Sequence, residues 1–453
     1  MRLNLFTLIL CLSAQAAVAQ TIDTLSQIDK LFSGWNNSTP GASVLVARGE
    51  KVLYHKAYGL ANLESNIPNT TATIFEAGSV SKQFTAYAIL LLESEGKLKL
   101  TDDVRKYVPE LPAYQAPITI QHLLNHTSGL KDWGSIGALS GWPRGSRDYT
   151  LALALHIMSK QKSTNFIPGA EYSYSNSNYS MLVIIVERVA KQSLEDFTRD
   201  RIFKPLGMNN TRWRSDFRDI VPGRAQAYSK EGDTYRLEMP FEHIYGHGGL
   251  LTTTGDLLKW NQLLEKHDAV FSKRIKRGRL NNGDSITYAA GIQHSEVNGV
   301  AEIAHSGATA GYRAWLAYYP SKKITVVLLS NEANFAPVSV GHQIAEVYFG
   351  SPGKPRIILP EPVREPEVKF DPKLYAGEYY SDEAECSFNI AEKDGVLVAT
   401  NDAQQTEELT PTGNNKFEAN GMTFEFLVNK KKVTQLFVTV SRANRVPFKK
   451  VIK

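Results

Sequence analysis

The pattern of hydrophobic and polar residues predicts a sheet built from both ends of one long region. Residues 42–47 and 52–58 flank a Gly-Glu-Lys turn and alternate as the two strands of a β-hairpin do. Far along the chain, residues 312–319 and the almost wholly apolar residues 324–330 are also predicted strands. Because sheets are covered by helices or other sheets, this order indicates one sheet with a helical insert between its two halves.

Helical spacing dominates the region between these strands. A helix is predicted from Ser79, where apolar residues recur at three- and four-residue steps until Gly96. Further helices are predicted over residues 120–125 after an N-cap at Thr119, 180–191, 254–264 and 338–349. The stretch 131–147 is rich in Gly and Ser, and we expect it to be a long loop.

A proline-rich segment divides the chain. Residues 351–367 carry prolines that disfavour both helix and strand pairing, which predicts an extended linker. Beyond it, short strand-like runs alternate with turns containing Gly and Asn, as in a small all-β barrel or sandwich. The predicted organisation is therefore a segment 1–19, a main domain 20–350, the linker 351–367 and a C-terminal β module 368–453.

Composition places the 453-residue chain among ordinary globular proteins. Hydrophobic residues make up 42% and charged residues 21%, so a large core is available. The formal net charge is only +5, which argues against nucleic acid or an anionic membrane as the main partner. We expect a small-molecule or peptide substrate instead, and the sequence leaves the oligomeric state open.

The first residues have the features of a secretory signal peptide. A basic start is followed by an apolar run too short to cross a bilayer and by the small-residue site Ala17-Val18-Ala19. We therefore expect export to the periplasm or the medium, with no transmembrane segment in the mature chain. Cys11 leaves a lipoprotein open as an alternative. Cleavage would leave Cys386 alone, so an intrachain disulfide is not expected.

Ser79-Val80-Ser81-Lys82 is the first candidate for chemistry. A serine hydroxyl needs a neighbouring base, and a desolvated lysine three residues along a helix can accept its proton. Four other Ser-x-x-Lys sequences occur in the chain, so the motif alone is weak evidence. A preceding glycine and a following amphipathic helix distinguish this occurrence.

Two further segments add polar groups. Tyr174-Ser175-Asn176 offers a phenol, whose pKa a nearby ammonium would lower, and an amide that can bind a substrate carbonyl. The alternative is a polar turn that caps the next helix. His305-Ser306-Gly307 precedes a predicted strand, and its glycine would let a substrate backbone approach. The alternative for His305 is a histidine in a surface loop.

In this order, the three segments resemble the active-site motifs of the serine β-lactamase and penicillin-binding superfamily. The resembling branch holds class C β-lactamases and related esterases, D-aminopeptidases and D-alanyl-D-alanine carboxypeptidases. Residues 123–130 (LLNHTSGL), 246–250 (GHGGL) and 256–260 (DLLKW) are also typical of this branch. The resemblance covers roughly residues 24–350. It implies an α+β fold: a β-lactamase/DD-peptidase-like antiparallel sheet flanked by helices, with a helical subdomain, to which the C-terminal barrel-like domain is added.

The resemblance also implies roles for individual residues. Ser79 would be the acylated nucleophile, with Lys82 and Tyr174 sharing the acid and base work. The implied substrate-binding residues are Asn176, His305, Ser306, Gly307 and Ala308, the last pairing its amide with that of Ser79 as an oxyanion hole.

One departure affects the predicted substrate. Classical β-lactamases and transpeptidases have lysine where His305 stands, and a histidine is mostly neutral near pH 7. We therefore expect an exported serine hydrolase acting on D-amino-acid peptides, including those derived from the cell wall, or on esters. A β-lactamase proper is the alternative within the family. A non-catalytic cell-wall peptide-binding or sensing protein is the alternative from another class.

Other chemistries find little support in the sequence. His122/His126 and His243/His247 have a spacing that could suit a metal, but neither pair belongs to a His-Glu-x-x-His sequence. Phosphate-loop, dinucleotide-binding and Gly-x-Ser-x-Gly sequences do not occur. We expect no metal and no cofactor.

Overall fold

The computed structural model describes residues 24–266, 269–349, 370–430 and 432–452. The predicted signal peptide (1–19) and linker (351–367) lie outside these residues. In the described part of the chain, no helix has both the length and the apolar composition needed to cross a bilayer.

The first unit contains strands, α-helices and short 3₁₀ turns. Its strands are β1 (Ala42–Arg48), β2 (Lys51–Tyr58), β3 (Leu60–Asn62), β4 (Ile67–Pro68), β5 (Phe75–Glu76), β6 (Arg212–Trp213), β7 (Tyr228–Glu231), β8 (Thr234–Leu237), β9 (Leu250–Thr252), β10 (Gln293–Val297), β11 (Val300–Thr309), β12 (Tyr312–Tyr319) and β13 (Ile324–Ser330). Its helices are α1 (residues 24–31), α2 (Lys82–Ser94), α3 (Ile120–Leu124), α4 (Trp133–Leu139), α5 (Leu151–Ser159), α6 (Asn176–Ala190), α7 (Leu194–Thr198), α8 (Lys204–Leu206), α9 (Thr254–Asn261), α10 (Ala269–Arg274) and α11 (Pro337–Phe349).

Strands from both ends of this unit form one antiparallel sheet, as the sequence predicts. The strand order is β10-β11-β12-β13-β1-β2. β1 pairs with β13 from Ala42↔Ser330 to Arg48↔Ile324, so residues nearly 300 positions apart are neighbours. One face packs against α11, and the other faces the helical insert, where α2 and α6 lie in the largest hydrophobic core.

Helix α6 begins at Asn176, earlier than the predicted start at residue 180. Its first turns are polar yet buried, so the spacing of hydrophobic residues does not indicate a helix there. The polar groups are satisfied by tertiary contacts: Ser177 Oγ donates to the Lys131 carbonyl at 2.7 Å, and Asn178 accepts from Ser128 Oγ at 2.5 Å.

The predicted loop 131–147 was wrong in its first half, because it contains helix α4. The Asp132 side chain accepts from the Ser135 amide at 3.1 Å and caps the helix N-terminus. The helix is short and rich in glycine, so its stability comes from burial of Trp133, Ile136 and Leu139 rather than from helix propensity.

The His305-Ser306-Gly307 segment precedes the strand Tyr312–Tyr319, as predicted, but it is itself part of a strand that the sequence did not predict, β11. These three residues pair with Leu316, Trp315 and Ala314 of β12. Burial alternates along this part of the strand, with Ser306 and Ala308 exposed and Gly307 buried. The segment is therefore held rigidly at the sheet, with alternate residues facing the cleft described below.

The second unit is a closed eight-stranded antiparallel barrel. Its strands are β14 (Gly377–Ser381), β15 (Cys386–Lys393), β16 (Val396–Asn401), β17 (Thr406–Gly413), β18 (Lys416–Ala419), β19 (Met422–Asn429), β20 (Lys432–Val440) and β21 (Ala443–Lys450). Buried aromatic side chains, including Phe388, Phe424, Phe426 and Phe448, fill its interior. The C-terminal module is thus a barrel and not a sandwich, the two folds that the sequence left open.

Helix α4 joins the two units. Ile136 and Leu139 project from it into the hydrophobic core of the barrel. Beside this contact, the buried Lys131 ammonium lies 3.5 Å from the Glu383 carboxylate, and Gln161 Nε2 donates to the Glu383 carbonyl at 2.6 Å. The barrel is therefore docked through apolar burial and through a buried ion pair.

Leu139→Ala tests this docking. Removing a fully buried leucine should lower the free energy of unfolding by about 2–5 kcal/mol, because a cavity remains between the units. Urea unfolding followed by fluorescence measures the loss. Leu427→Ala, at a barrel position that is 41% exposed, is the matched control and should change stability by less than about 0.5 kcal/mol. Equal effects of the two substitutions would contradict the docking role of α4.

Candidate active site

Ser79 lies in a 3₁₀ turn, Gly78–Ser81, that leads directly into α2. The sequence predicted an α-helix that begins at Ser79, whereas the α-helix in the structure begins at Lys82. In a 3₁₀ turn, residues three apart are eclipsed, which places Lys82 beneath Ser79. Lys82 Nζ is 3.2 Å from Ser79 Oγ.

Two glycines let this turn lie against the edge of the sheet. Gly78 has φ +49°, and a Cβ there would lie 2.6 Å from the amide nitrogen of Ala308. A Cβ on Gly307 would lie 2.0 Å from the Ala77 carbonyl oxygen. Gly307 is thus required by the protein's own backbone. The Ala308 amide thus lies close to the turn that carries Ser79, as an oxyanion hole formed by the two amides would require.

The Lys82 side chain is fully buried, and three oxygen atoms lie within hydrogen-bond distance of its amine. Besides Ser79 Oγ, Nζ is 2.9 Å from Asn176 Oδ1 and 2.6 Å from the His247 carbonyl oxygen. Burial, reinforced by the positive charges of Arg144 and Arg442, holds the pKa of Lys82 well below its ordinary value. A neutral amine can donate to the Asn176 and His247 oxygens and direct its lone pair at Ser79 Oγ.

The Tyr174 hydroxyl approaches Ser79 from another side. It lies 2.9 Å from Ser79 Oγ, and Lys82 Nζ is 4.8 Å from the centre of its ring. The expectation of a lowered pKa was wrong, because burial raises the pKa of Tyr174 above its ordinary value. The phenol stays protonated at neutral pH, so it is suited to donate a hydrogen bond to Ser79 and not to act as a phenolate general base in the resting protein.

Asn176 reaches the cleft from the first turn of α6. Its backbone N–H donates to Asp132 Oδ2 at 2.7 Å, and its Oδ1 accepts from Lys82. Its Nδ2 makes no hydrogen bond within the described part of the chain and is available to a ligand. The predicted role in orienting substrate would therefore fall to the amide nitrogen.

His305 is buried, and its hydrogen bonds fix its tautomer. Nδ1 is 2.6 Å from the Ser306 carbonyl, which can only accept, so Nδ1 carries the proton. Nε2 then accepts from the Tyr288 hydroxyl at 2.9 Å. Burial lowers the pKa of His305 to about 4, with the Lys82 charge adding to the effect. The imidazole is therefore neutral at pH 7, and it does not replace the cation found at this position in classical β-lactamases.

These groups open into a cleft of about 360 Å³. Of the residues predicted from sequence, Ser79, Tyr174, Asn176, His305, Ser306 and Ala308 line it. Lys82 lies beneath it, and Gly307 faces Ala77.

Sequence reasoning missed five lining residues, which are Arg144, Tyr172, Tyr288, Gln293 and Arg442. Arg442 belongs to the barrel, and no local motif indicates that it meets residues of the first unit. Tyr172 lies only two residues before the Tyr-x-Asn motif, so its position in the sequence could have indicated that it lines the cleft.

Comparison with known proteins agrees with this arrangement. The model of a family described as Beta-lactamase matches residues 18–348. Penicillin-binding protein 4* of Bacillus subtilis is 34% identical over 312 residues, covering 64% of this chain and 68% of that protein. A D-aminopeptidase of Brucella anthropi is 27% identical over 324 residues, covering 69% of this chain and 60% of that enzyme. The chain thus spans about two thirds of the length of these relatives.

The fold is also found among solved structures. The octameric penicillin-binding protein homologue from Pyrococcus abyssi superposes with a TM-score of 0.61 at 24% identity. The match covers 95% of this chain and 99% of that one, so it includes the barrel as well as the first unit.

The neutral His305 predicts a pH dependence of stability. Its pKa is about 4 in the folded protein and 6.5 in its unperturbed form, so the unfolded state takes up the proton first as pH falls. This stability is fully present above about pH 6.5 and is lost as the pH falls towards 4, by up to ~3 kcal/mol. Urea titrations between pH 7 and pH 4 should show the decline, and His305→Gln should make it shallower. An unchanged slope in that variant would contradict the assignment.

Proposed function

Because this chain belongs to the Beta-lactamase family, we propose that it is an exported serine hydrolase that acts through a covalent acyl-enzyme on D-amino-acid peptides or on esters. The observation that carries the proposal is the position of Ser79 Oγ between the Lys82 amine and the Tyr174 phenol. A penicillin-binding protein and a D-aminopeptidase among the relatives support the reaction type. Export rests on the N-terminal sequence.

The first half of the reaction forms the acyl-enzyme. Neutral Lys82 takes the proton of Ser79, and Oγ attacks the carbonyl carbon of the substrate. The amides of Ser79 and Ala308 stabilise the oxyanion that forms. The bond to the leaving nitrogen or oxygen then breaks, and the leaving group receives a proton from Tyr174, which is reprotonated by Lys82.

The second half releases the acyl group. A water molecule attacks the ester carbonyl and gives its proton to the Tyr174 and Lys82 pair. The bond to Ser79 Oγ then breaks, and Oγ takes a proton back. The cycle returns every group to its starting protonation state, so these residues supply all the proton transfers it needs.

The shape of the surface favours a peptide. A second depression of about 540 Å³ shares Arg144 and Ala308 with the cleft and is lined by apolar groups such as Met239 and Phe241. Substrate residues on one side of the scissile bond could occupy it. The neutral His305 weakens binding of the carboxylate of a β-lactam at that position, which is why β-lactam hydrolysis ranks below peptide and ester hydrolysis.

Ser79→Ala tests the proposed nucleophile. It should lower kcat by at least about 10³-fold, because related nucleophile removals in serine hydrolases cost more than this. Hydrolysis of p-nitrophenyl acetate provides the rate, and mass spectrometry after a phosphonate or penicillin provides the adduct. Ser94→Ala is the matched control, since Ser94 is the last residue of α2 and begins an exposed Ser-x-x-Lys sequence that ends at Lys97. A wild-type protein that forms no adduct would point instead to a non-catalytic peptide-binding protein.

A comparison of substrates tests the ranking. Nitrocefin, p-nitrophenyl acetate and a D-alanyl peptide should be assayed side by side with the wild-type protein. We expect the peptide or the ester to have the highest kcat/KM. Rapid nitrocefin turnover with the other two substrates inert would reverse the ranking and make the protein a β-lactamase proper.

A further inference from the structure

We propose that Arg442 of the barrel binds a free carboxylate on the substrate beside the scissile bond, so that the C-terminal unit selects the charge of the substrate. The inference rests on the proposed hydrolase function and adds the substrate class. It assigns the barrel a direct part in recognition, beyond the packing described above.

The backbone of Arg442 is fixed to the first unit. Its carbonyl oxygen accepts from the Asp132 amide at 3.1 Å and from Asn165 Nδ2 at 3.0 Å. Two residues on, the Asn444 amide donates to Asn165 Oδ1 at 2.8 Å. The turn between β20 and β21 is thus anchored at the rim of the cleft, and its arginine is held in place rather than left on a free loop.

The Arg442 guanidinium lies directly over the proposed acid-base machinery. Its Cζ is 4.9 Å from the centre of the Tyr174 ring, and the Tyr174 hydroxyl is 2.9 Å from Ser79 Oγ. Stacking on an aromatic face orients the planar guanidinium and leaves its edge available for hydrogen bonds. The side chain remains 43% exposed, so an incoming ligand can reach it.

Among the described residues, no carboxylate forms a close ion pair with the Arg442 guanidinium. The nearest, Asp132 Oδ2, is 4.0 Å from Nη1. The two oxygens of Asp132 already accept from the backbone amides of Asn176 and Ser135. Arg442 therefore keeps donors that a substrate carboxylate could satisfy with two parallel hydrogen bonds.

The other basic groups near the cleft are not available for this role. The buried Lys82 amine already has three protein oxygens within hydrogen-bond distance, and its pKa is lowered. Arg144 is paired with the Glu242 carboxylate. His305 is neutral and bonded to Tyr288. Arg442 is thus the cation that remains for a ligand in the described cleft.

The sign of the charge separates two substrate classes. A free amine next to the scissile bond would need a carboxylate in the cleft, and the described residues that line the cleft include none. The carboxylates of Glu238 and Glu242 line only the second depression, and Glu242 is paired with Arg144. A peptide with a free C-terminal carboxylate on its leaving residue meets Arg442 instead. The geometry therefore favours a carboxypeptidase-type substrate over an aminopeptidase-type substrate.

A pair of substrates that differ only in this charge provides the test. N-acetyl-D-alanyl-D-alanine and its C-terminal amide should be hydrolysed by the wild type with kcat/KM at least about tenfold higher for the acid. Arg442→Gln should bring this acid-to-amide ratio close to one, a loss of at least about tenfold, as expected for loss of one charge-assisted contact. Arg442→Lys, which keeps the charge but loses the planar fork, should give an intermediate ratio.

The ratio is used because other effects of the substitution cancel in it. Arg442 also lowers the pKa of Lys82, and a change there alters both substrates alike. Arg445→Ala, on the same hairpin and paired with Glu425, is the matched control and should leave the ratio unchanged.

Three results would overturn the inference: a wild type that cleaves the amide as fast as the acid, an Arg442→Gln variant with the wild-type ratio, or a preference for D-alanine p-nitroanilide with its free amine. Labelling of Ser79 by a fluorophosphonate distinguishes these failures from failure of the proposed function. If the wild-type protein is labelled but shows no preference for the acid, only the proposed role of Arg442 is wrong. If the wild-type protein cannot be labelled, the proposed hydrolase function itself is wrong.

Discussion

The buried amine of Lys82 is the constraint on which the rest of the structure depends. A charged ammonium placed there would lose several kcal/mol of hydration, so the site favours the neutral amine. The three oxygen atoms around the amine come from three separate segments: the turn before α2, the start of α6 and the glycine-rich stretch around His247. The site is therefore assembled only when the helical insert folds correctly against the sheet.

Helix α4 links this arrangement to the barrel. At its N-terminus, Asp132 caps the helix and holds the backbone of Asn176, whose side chain in turn contacts Lys82. At its other end, Leu139 packs into the barrel core. The same short helix thus supports the proposed base and docks the unit that carries Arg442. This coupling gives a physical reason for the barrel to be attached to the first unit.

The sequence predicted the parts of the fold that have strong local patterns. β1 and β2 were found within one residue because they alternate around a clear turn, and β12 and β13 because they are rich in apolar residues. Helix α4 and the first turns of α6 were missed, since their stability comes from tertiary burial and from polar groups satisfied by distant partners. The segment around His305 was taken for a strand edge because its alternation is carried by small residues.

The candidate site divides in the same way. Ser79, Lys82, Tyr174 and Asn176 were identified because each belongs to a short motif, and the structure brings all four together. The fixed tautomer of His305 depends on Tyr288, and the free cation of the cleft comes from another folding unit. Neither contact has a local sequence signal, because only the three-dimensional structure brings the partners together.

Direct titration of Lys82 tests the central claim. Heteronuclear NMR of lysine side chains, with Lys82→Met to assign the resonance, reports the protonation of this single amine in the folded protein. The account predicts a midpoint well below the ordinary lysine value of 10.5, so that more of the amine is neutral beside Ser79 than in an exposed lysine at the same pH. A resonance that stays that of an ammonium up to pH 10 would contradict it.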